Sequence, residues 1–133
     1  ALDWARGHLS SGPVLVYASA PPQEVAAAQA ALGRERAAAL VEDAMARLAT
    51  GLVALGVRKL VVAGGETSGA VVSALGAKAL RIGRQIDPGV PWTSGQLGKP
   101  LMASPGGTPL SLALKSGNFG GRDFFAKAIA EAP

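Results

Sequence analysis

Residues 58–76 read RKLVVAGGETSGAVVSALG, and the order of residue types within this stretch decides the fold class. Leu60-Val61-Val62-Ala63 is a short apolar, β-branched run, the pattern of a strand buried on both faces. Gly64-Gly65-Glu66-Thr67-Ser68-Gly69 follows as a glycine-rich turn. Ala70 to Leu75 then reads as helix, and Gly76 ends it. Strand, turn and helix in direct succession make half of a βαβ unit.

The same alternation continues outward. Upstream, a helix is expected from roughly Glu35 to Leu55. Its apolar positions Leu40, Ala44, Leu48 and Leu52 recur every four residues, with Val41, Met45 and Leu55 beside them. Glu42, Asp43 and Arg47 fall on the other side, and Gly56 stands where a C-terminal cap belongs. An Ala-rich helix from about Gln23 precedes it and breaks near Gly33. Earlier still, Gly12-Pro13 punctuates the chain and Val14-Leu15-Val16-Tyr17 reads as a buried parallel strand, with Ser19 to Pro22 as its exit.

Downstream, Leu80-Arg81-Ile82 and Leu110 to Leu114 are strand candidates, and Asp123 to Ala132 is a terminal helix. The Pro/Gly-rich segment between them, at about 83–108, reads as irregular or as a hairpin. Strands alternating with helices predict an α/β fold, with a mainly parallel sheet flanked by helices and right-handed crossovers. The chain length of 133 residues fits a single domain over 1–133.

Composition narrows the function. Hydrophobic residues make up 49% and charged ones 17%, which supplies a core and excludes a disordered chain. The formal charge is only +4, and the tightest basic cluster, Arg34 and Arg36, is interrupted by Glu35. With aromatics at 5%, no basic, base-stacking face is visible, so no nucleic-acid partner is expected. The chain has no cysteine and a single histidine, His8, which exclude thiolate metal sites and histidine clusters. Glu42, Asp43 and Arg47 interrupt the richest apolar run, and no signal peptide is visible, so neither membrane association nor secretion is expected. A cytoplasmic location follows. The opening Ala1-Leu2-Asp3-Trp4 lacks an initiator Met and starts as a fragment would.

The chemistry gathers at two junctions of one kind. Strand 60–63 passes through GGETSG into a helix, and strand 110–114 passes through KSGNFGG into another. Strand-to-helix turns in a parallel sheet lie at the carboxyl edge, where ligands bind. Glycines there admit a phosphate close to the backbone, and the helix N-terminus offers free N–H groups and positive dipole. Thr67, Ser68 and Ser116 add hydroxyl donors, Lys115 adds a point charge, and Glu66 suits a Mg²⁺-bound water or a ribose hydroxyl. The plainer alternative is that the glycines only make tight turns, with Thr67 or Ser68 as a helix cap. Neither junction matches the Walker pattern or the dinucleotide G-x-G-x-x-G.

Other features have mostly structural readings. Asp87-Pro88-Gly89 is a turn whose Asp is either a turn-stabilising side chain or a metal ligand. Trp92 packs at an edge or stacks on a base, His8 is a solvent-exposed bystander, and Phe124-Phe125 anchors the last helix.

Three runs carry a resemblance: RKLVVAGGETSGAVVSALG (58–76), IGRQIDPGVPW (82–92) and LALKSGNFGGRDFFAKAI (112–129). Together they resemble the nucleotide-binding C-terminal domain of the four-carbon acid sugar kinases. That family was long catalogued as a domain of unknown function, some members as Hrp-dependent type III effector proteins. The resemblance implies a kinase that phosphorylates a threonate, erythronate or 3-oxo-tetronate type of acid sugar with ATP and Mg²⁺. It implies nucleotide contacts at Gly64, Gly65, Glu66, Thr67 and Ser68, and in the stretch Lys115, Ser116, Gly117, Asn118 and Gly120, with Gly117 favoured.

It further implies that a separate N-terminal domain supplies the sugar site and the catalytic base. No catalytic residue is then expected in this chain, which on its own binds nucleotide without turnover. The family's earlier strand with its serine-bearing ATP loop has no match here, so the chain is expected to begin partway through the domain. A metal ligand is not assigned, and a homo-oligomer is left open. The alternative reading is a non-catalytic α/β module that binds an anion or a partner.

Overall fold

A computed structural model describes residues 1–97 and 109–133. Three helices come first: α1 (Leu2–His8), α2 (Pro22–Leu32) and α3 (Arg34–Ala54). Then follow β1 (Lys59–Ala63), α4 (Gly65–Leu75), β2 (Ala77–Asp87), β3 (Val90–Leu97), β4 (Leu110–Lys115) and α5 (Phe124–Ala130). The strands form one sheet in the order β1-β4-β3-β2.

The fold is α/β as expected, but the sheet is not mainly parallel. Among the described residues only β1 and β4 run parallel, while β3 is antiparallel to both β2 and β4. The cause is Pro88-Gly89. With Gly89 at φ +79°, this turn sends β3 straight back along β2 as a hairpin. The Pro/Gly-rich segment therefore holds two strands, and its remainder, 98–108, lies outside the described residues. β2 is also longer than the three-residue candidate at 80–82. As an edge strand it exposes Lys78, Arg81, Ile82, Arg84 and Gln85, so no apolar alternation marks it in the sequence.

Two apolar layers cover the sheet. On one face Ala49, Val53, Val71 and Leu75 from α3 and α4 meet Val62, Leu110 and Leu112. On the other, Phe124 and Ala128 of α5 meet Ile86, Val90, Trp92 and Ala113. The alternation of Leu112 and Ala113 between the layers is the period-two geometry of a strand. Trp92 packs rather than stacks on a ligand: it is 2% exposed, and its indole N–H donates to the Ala128 carbonyl at 3.2 Å.

The N-terminal third differs from its sequence reading. Val14 to Tyr17 forms no strand, and Leu15 and Tyr17 are 62% and 72% exposed. A β-branched run becomes a strand only where a neighbour completes its ladder, and none of the described strands does so. The helix at 35–55 is present, yet Leu40 and Val41 are exposed, and burial falls on Ala46, Ala49, Leu52 and Val53. Only the C-terminal half of α3 lies over the core. α1 packs its Ala5 inward, and Leu2 occupies the space that Gly51 leaves open on α3. His8 is exposed and stacks on Trp4.

Candidate functional site

The parallel pair positions the site. β1 and β4 pair from Lys59↔Ser111 to Ala63↔Lys115, so both strands end level and their turns leave side by side. The Gly64 N–H donates to the Lys115 carbonyl at 2.8 Å, extending the ladder one step past β1. A Cβ placed on Gly65 would lie 3.4 Å from the Ser116 hydroxyl. GGETS and KSGNFGG are therefore one continuous edge of the molecule.

The first turn is shorter than the sequence suggests. Only Gly64 is outside the helix, at φ +109°, and α4 begins at once with Gly65. The positive φ lies at Gly64 and not at Gly65. The first intrahelical bond runs from the Ser68 N–H to the Gly64 carbonyl at 2.8 Å. The amides of Gly65, Glu66 and Thr67 thus precede the helix ladder and point out at the positive end of the dipole. No side chain caps this end. Glu66 is exposed, whereas Ser68 is buried with its hydroxyl unpartnered among the described residues. An uncapped helix start with three backbone amides outside the ladder is a donor-rich place suited to an anion.

The second turn is an exposed loop held from several sides. Ser116, Gly117 and Asn118 face solvent, and the Phe119 N–H closes the turn on the Ser116 carbonyl at 3.2 Å. Gly117 (φ +50°) has open space where a side chain would be. Gly120 (φ +85°) does not: its Cβ would meet the Phe124 ring at 2.8 Å, so packing alone demands glycine there. The Lys115 ammonium donates to the Gly117 carbonyl at 2.8 Å. One of its three donors thus shapes the loop and two remain for an anion.

Asp87 completes the arrangement from the β2–β3 turn. Its Oδ2 accepts from the Gly121 N–H at 3.1 Å, and its Oδ1 pairs with Lys127 of α5. The Lys127 hydrogen bond, with the Gly121 N–H, holds the Asp87 carboxyl below its ordinary value, and Asp87 in turn raises Lys127. This carboxylate is a structural tie, and no group of three or more His, Cys, Asp or Glu able to hold a metal is found among the described residues. Sequence reading weighed Asp87 as a turn residue but could not see its partners, which lie 34 and 40 positions away.

The model of a family described as "Nucleotide-binding C-terminal domain" matches residues 1–125. The chain belongs to this family. Among its relatives, it is 61% identical over 129 residues to a 3-oxo-tetronate kinase of Burkholderia multivorans, covering 97% of this chain and 28% of that protein. It is 58% identical over 131 residues to a 3-oxo-tetronate kinase of Pseudomonas fluorescens, covering 98% of this chain and 28% of the relative. The chain thus corresponds to little more than a quarter of these kinases. A crystal structure of a Haemophilus influenzae protein superposes with a TM-score of 0.73 at 34% identity, over 98% of this chain and 30% of that one. No helix among the described residues is long and apolar enough to cross a membrane.

Proposed function

We propose that the edge formed by the two turns is the ATP-phosphate site of a cytoplasmic kinase acting on a four-carbon acid sugar of the 3-oxo-tetronate type. The observation carrying this reading is the level ending of β1 and β4, which sets the uncapped start of α4 beside the loop that begins at Lys115. Relatives named 3-oxo-tetronate kinase, at 58% and 61% identity, supply the substrate class.

Gly64, Gly65, Glu66, Thr67 and Ser68 form the first half of the site, and Lys115, Ser116, Gly117, Asn118 and Gly120 the second. The amides of Gly65, Glu66 and Thr67 receive phosphate oxygens at the helix end. Gly117, exposed and unobstructed, lets the loop backbone approach the nucleotide. The two free donors of Lys115 offset phosphate charge. Gly120 serves by allowing Phe124 to seat.

Mg²⁺ fits this site through the nucleotide. It keeps several waters and binds through one or two carboxylates plus substrate phosphates, so the exposed Glu66 carboxylate on the first turn suffices. When bound, the ion neutralises charge on the transferring phosphoryl group. The chain's own contribution is positioning, with the sugar site and general base on a separate domain facing this edge.

A Mg·ATP titration of the chain, followed by amide NMR, tests the reading. Saturable shifts clustered at 64–68 and 115–120 are expected. A dispersed spectrum without shifts at either turn would overturn it, and equal response to inorganic pyrophosphate would reduce it to a general anion site. Sugar-acid phosphorylation by the chain alone, above a no-enzyme control, would contradict the placement of the base elsewhere.

A further inference from the structure

The turn of the run IDPGVPW touches the second loop twice. Asp87 accepts from the Gly121 N–H at 3.1 Å and pairs with Lys127. Two residues on, Gly89 (φ +79°) supports the loop's Phe119: a Cβ at Gly89 would stand 2.8 Å from that ring. Phe119 itself is 55% exposed, with Gly89 against one part of its ring. The far end of the loop is thus fastened to a hairpin from another part of the sheet, while its near end is fastened by Lys115 to Gly117. Between the two fastenings lie Ser116 to Gly120.

The Asp87 side chain is well suited to this task. It is only 12% exposed and uses one oxygen for each partner. A carboxylate accepting from a backbone N–H and a lysine makes two charge-assisted bonds of fixed direction. Pro88 fixes its own φ in the turn behind it, and the Asp87↔Val90 pairing closes that turn.

We propose that Asp87 is a positioning residue for the nucleotide: by clamping Gly121 and Lys127 it holds the loop Ser116–Gly120 in the shape that receives the phosphates. Asp87 touches neither nucleotide nor metal in this role. The inference rests on the proposed phosphate site, and adds that the affinity of that site is set from the β2–β3 hairpin.

The test compares Asp87→Ala, Asp87→Asn and Lys127→Met in the full chain, with Mg·ATP as the probe and amide NMR as the readout. Asp87→Ala is expected to weaken binding by about tenfold, the scale of one lost charge-assisted hydrogen bond. Asp87→Asn keeps an acceptor for the Gly121 N–H and should recover much of the loss. Lys127→Met leaves that acceptor charged and should cost less than Asp87→Ala. The Gly121 amide resonance should move in the same order without nucleotide, reporting the clamp independently of stability. Wild-type affinity in a folded Asp87→Ala chain would overturn the inference while leaving the phosphate site standing. Should Asp87→Ala not fold, equal affinities for wild type, Asp87→Asn and Lys127→Met would overturn it as well. Absence of saturable shifts in the wild type would instead remove the phosphate site, and the positioning role with it.

Discussion

The two turns at the carboxyl ends of β1 and β4 look alike in sequence and are held in different ways. The turn at Gly64 is local. One glycine at φ +109° redirects the chain, and α4 starts at the next residue. The turn from Lys115 to Gly121 is assembled from afar: Phe124 presses on Gly120, Gly89 carries Phe119, and Asp87 binds Gly121. A turn fixed by its own backbone is fragile at one residue, whereas a turn fixed by neighbours is vulnerable at several places outside itself. Substitutions at both kinds of position can sharpen or break this contrast.

The largest effect is expected outside the loops. Phe124 is 1% exposed in the α5 layer and is the side chain against which Gly120 sits. Phe124→Ala should cost about 3–5 kcal/mol in chemical denaturation, the usual range for an emptied aromatic site. It should also perturb the amides of 116–121 more than those of 64–68. Equal perturbation of both turns would break the contrast.

Gly64→Ala comes next. An L residue at φ +109° is strained, and the added Cβ would meet the Thr67 hydroxyl at 3.2 Å. A loss of about 1–3 kcal/mol is expected by the same measurement, confined to the first turn. Gly117→Ala, also at positive φ but in open space, should cost less, about 1 kcal/mol, because its φ of +50° lies in the left-handed region that other residues reach.

The Asp87–Lys127 pair gives the contrast a pH dependence. Asp87 lies below its ordinary 3.8 in the fold, so its contribution is present above that value and is lost as pH falls through the depressed one. Lys127 lies above its ordinary 10.5, so its share is present below that value and is lost as pH rises through the raised one. Melting temperatures of wild type and Lys127→Met should therefore differ across the range between, and converge in strong acid and strong base. A gap that persists in strong acid would mean that the pair is not what Lys127→Met removes.

Legibility followed the range of the interactions. β1, α4 and β4 were readable because each is a short run whose apolar character is local, and both glycine turns were readable because they adjoin those runs. The direction of the sheet was not. Whether β3 runs back along β2 depends on a turn at Pro88-Gly89 that the composition of 83–108 obscures, and on an edge strand whose polar residues hide its period. Val14 to Tyr17 failed in the opposite sense: its propensity was plain, but the described sheet offers it no neighbour. The clamp at Asp87 was invisible because no spacing rule connects a turn carboxylate to an amide in another loop. The sequence names the candidate residues one by one, and their adjacency, set by the Ala63↔Lys115 register, needed the structure.

The smallest effect discriminates best between a turn and a site. If the glycines of the first junction served only to bend the chain, Gly65 would be as intolerant as Gly64. Yet Gly65 has no positive φ, and its Cβ would make an ordinary 3.4 Å contact with the Ser116 hydroxyl. It is also the first helical residue, where Ala narrows the unfolded ensemble relative to Gly. Gly65→Ala should therefore keep or raise stability, by up to about 1 kcal/mol. Its methyl group would nevertheless stand between the two turns, where the phosphates are proposed to lie, so Mg·ATP affinity should fall. Stability retained with affinity lost separates binding from bending at this residue. Stability lost with affinity retained would make the glycine a turn residue after all.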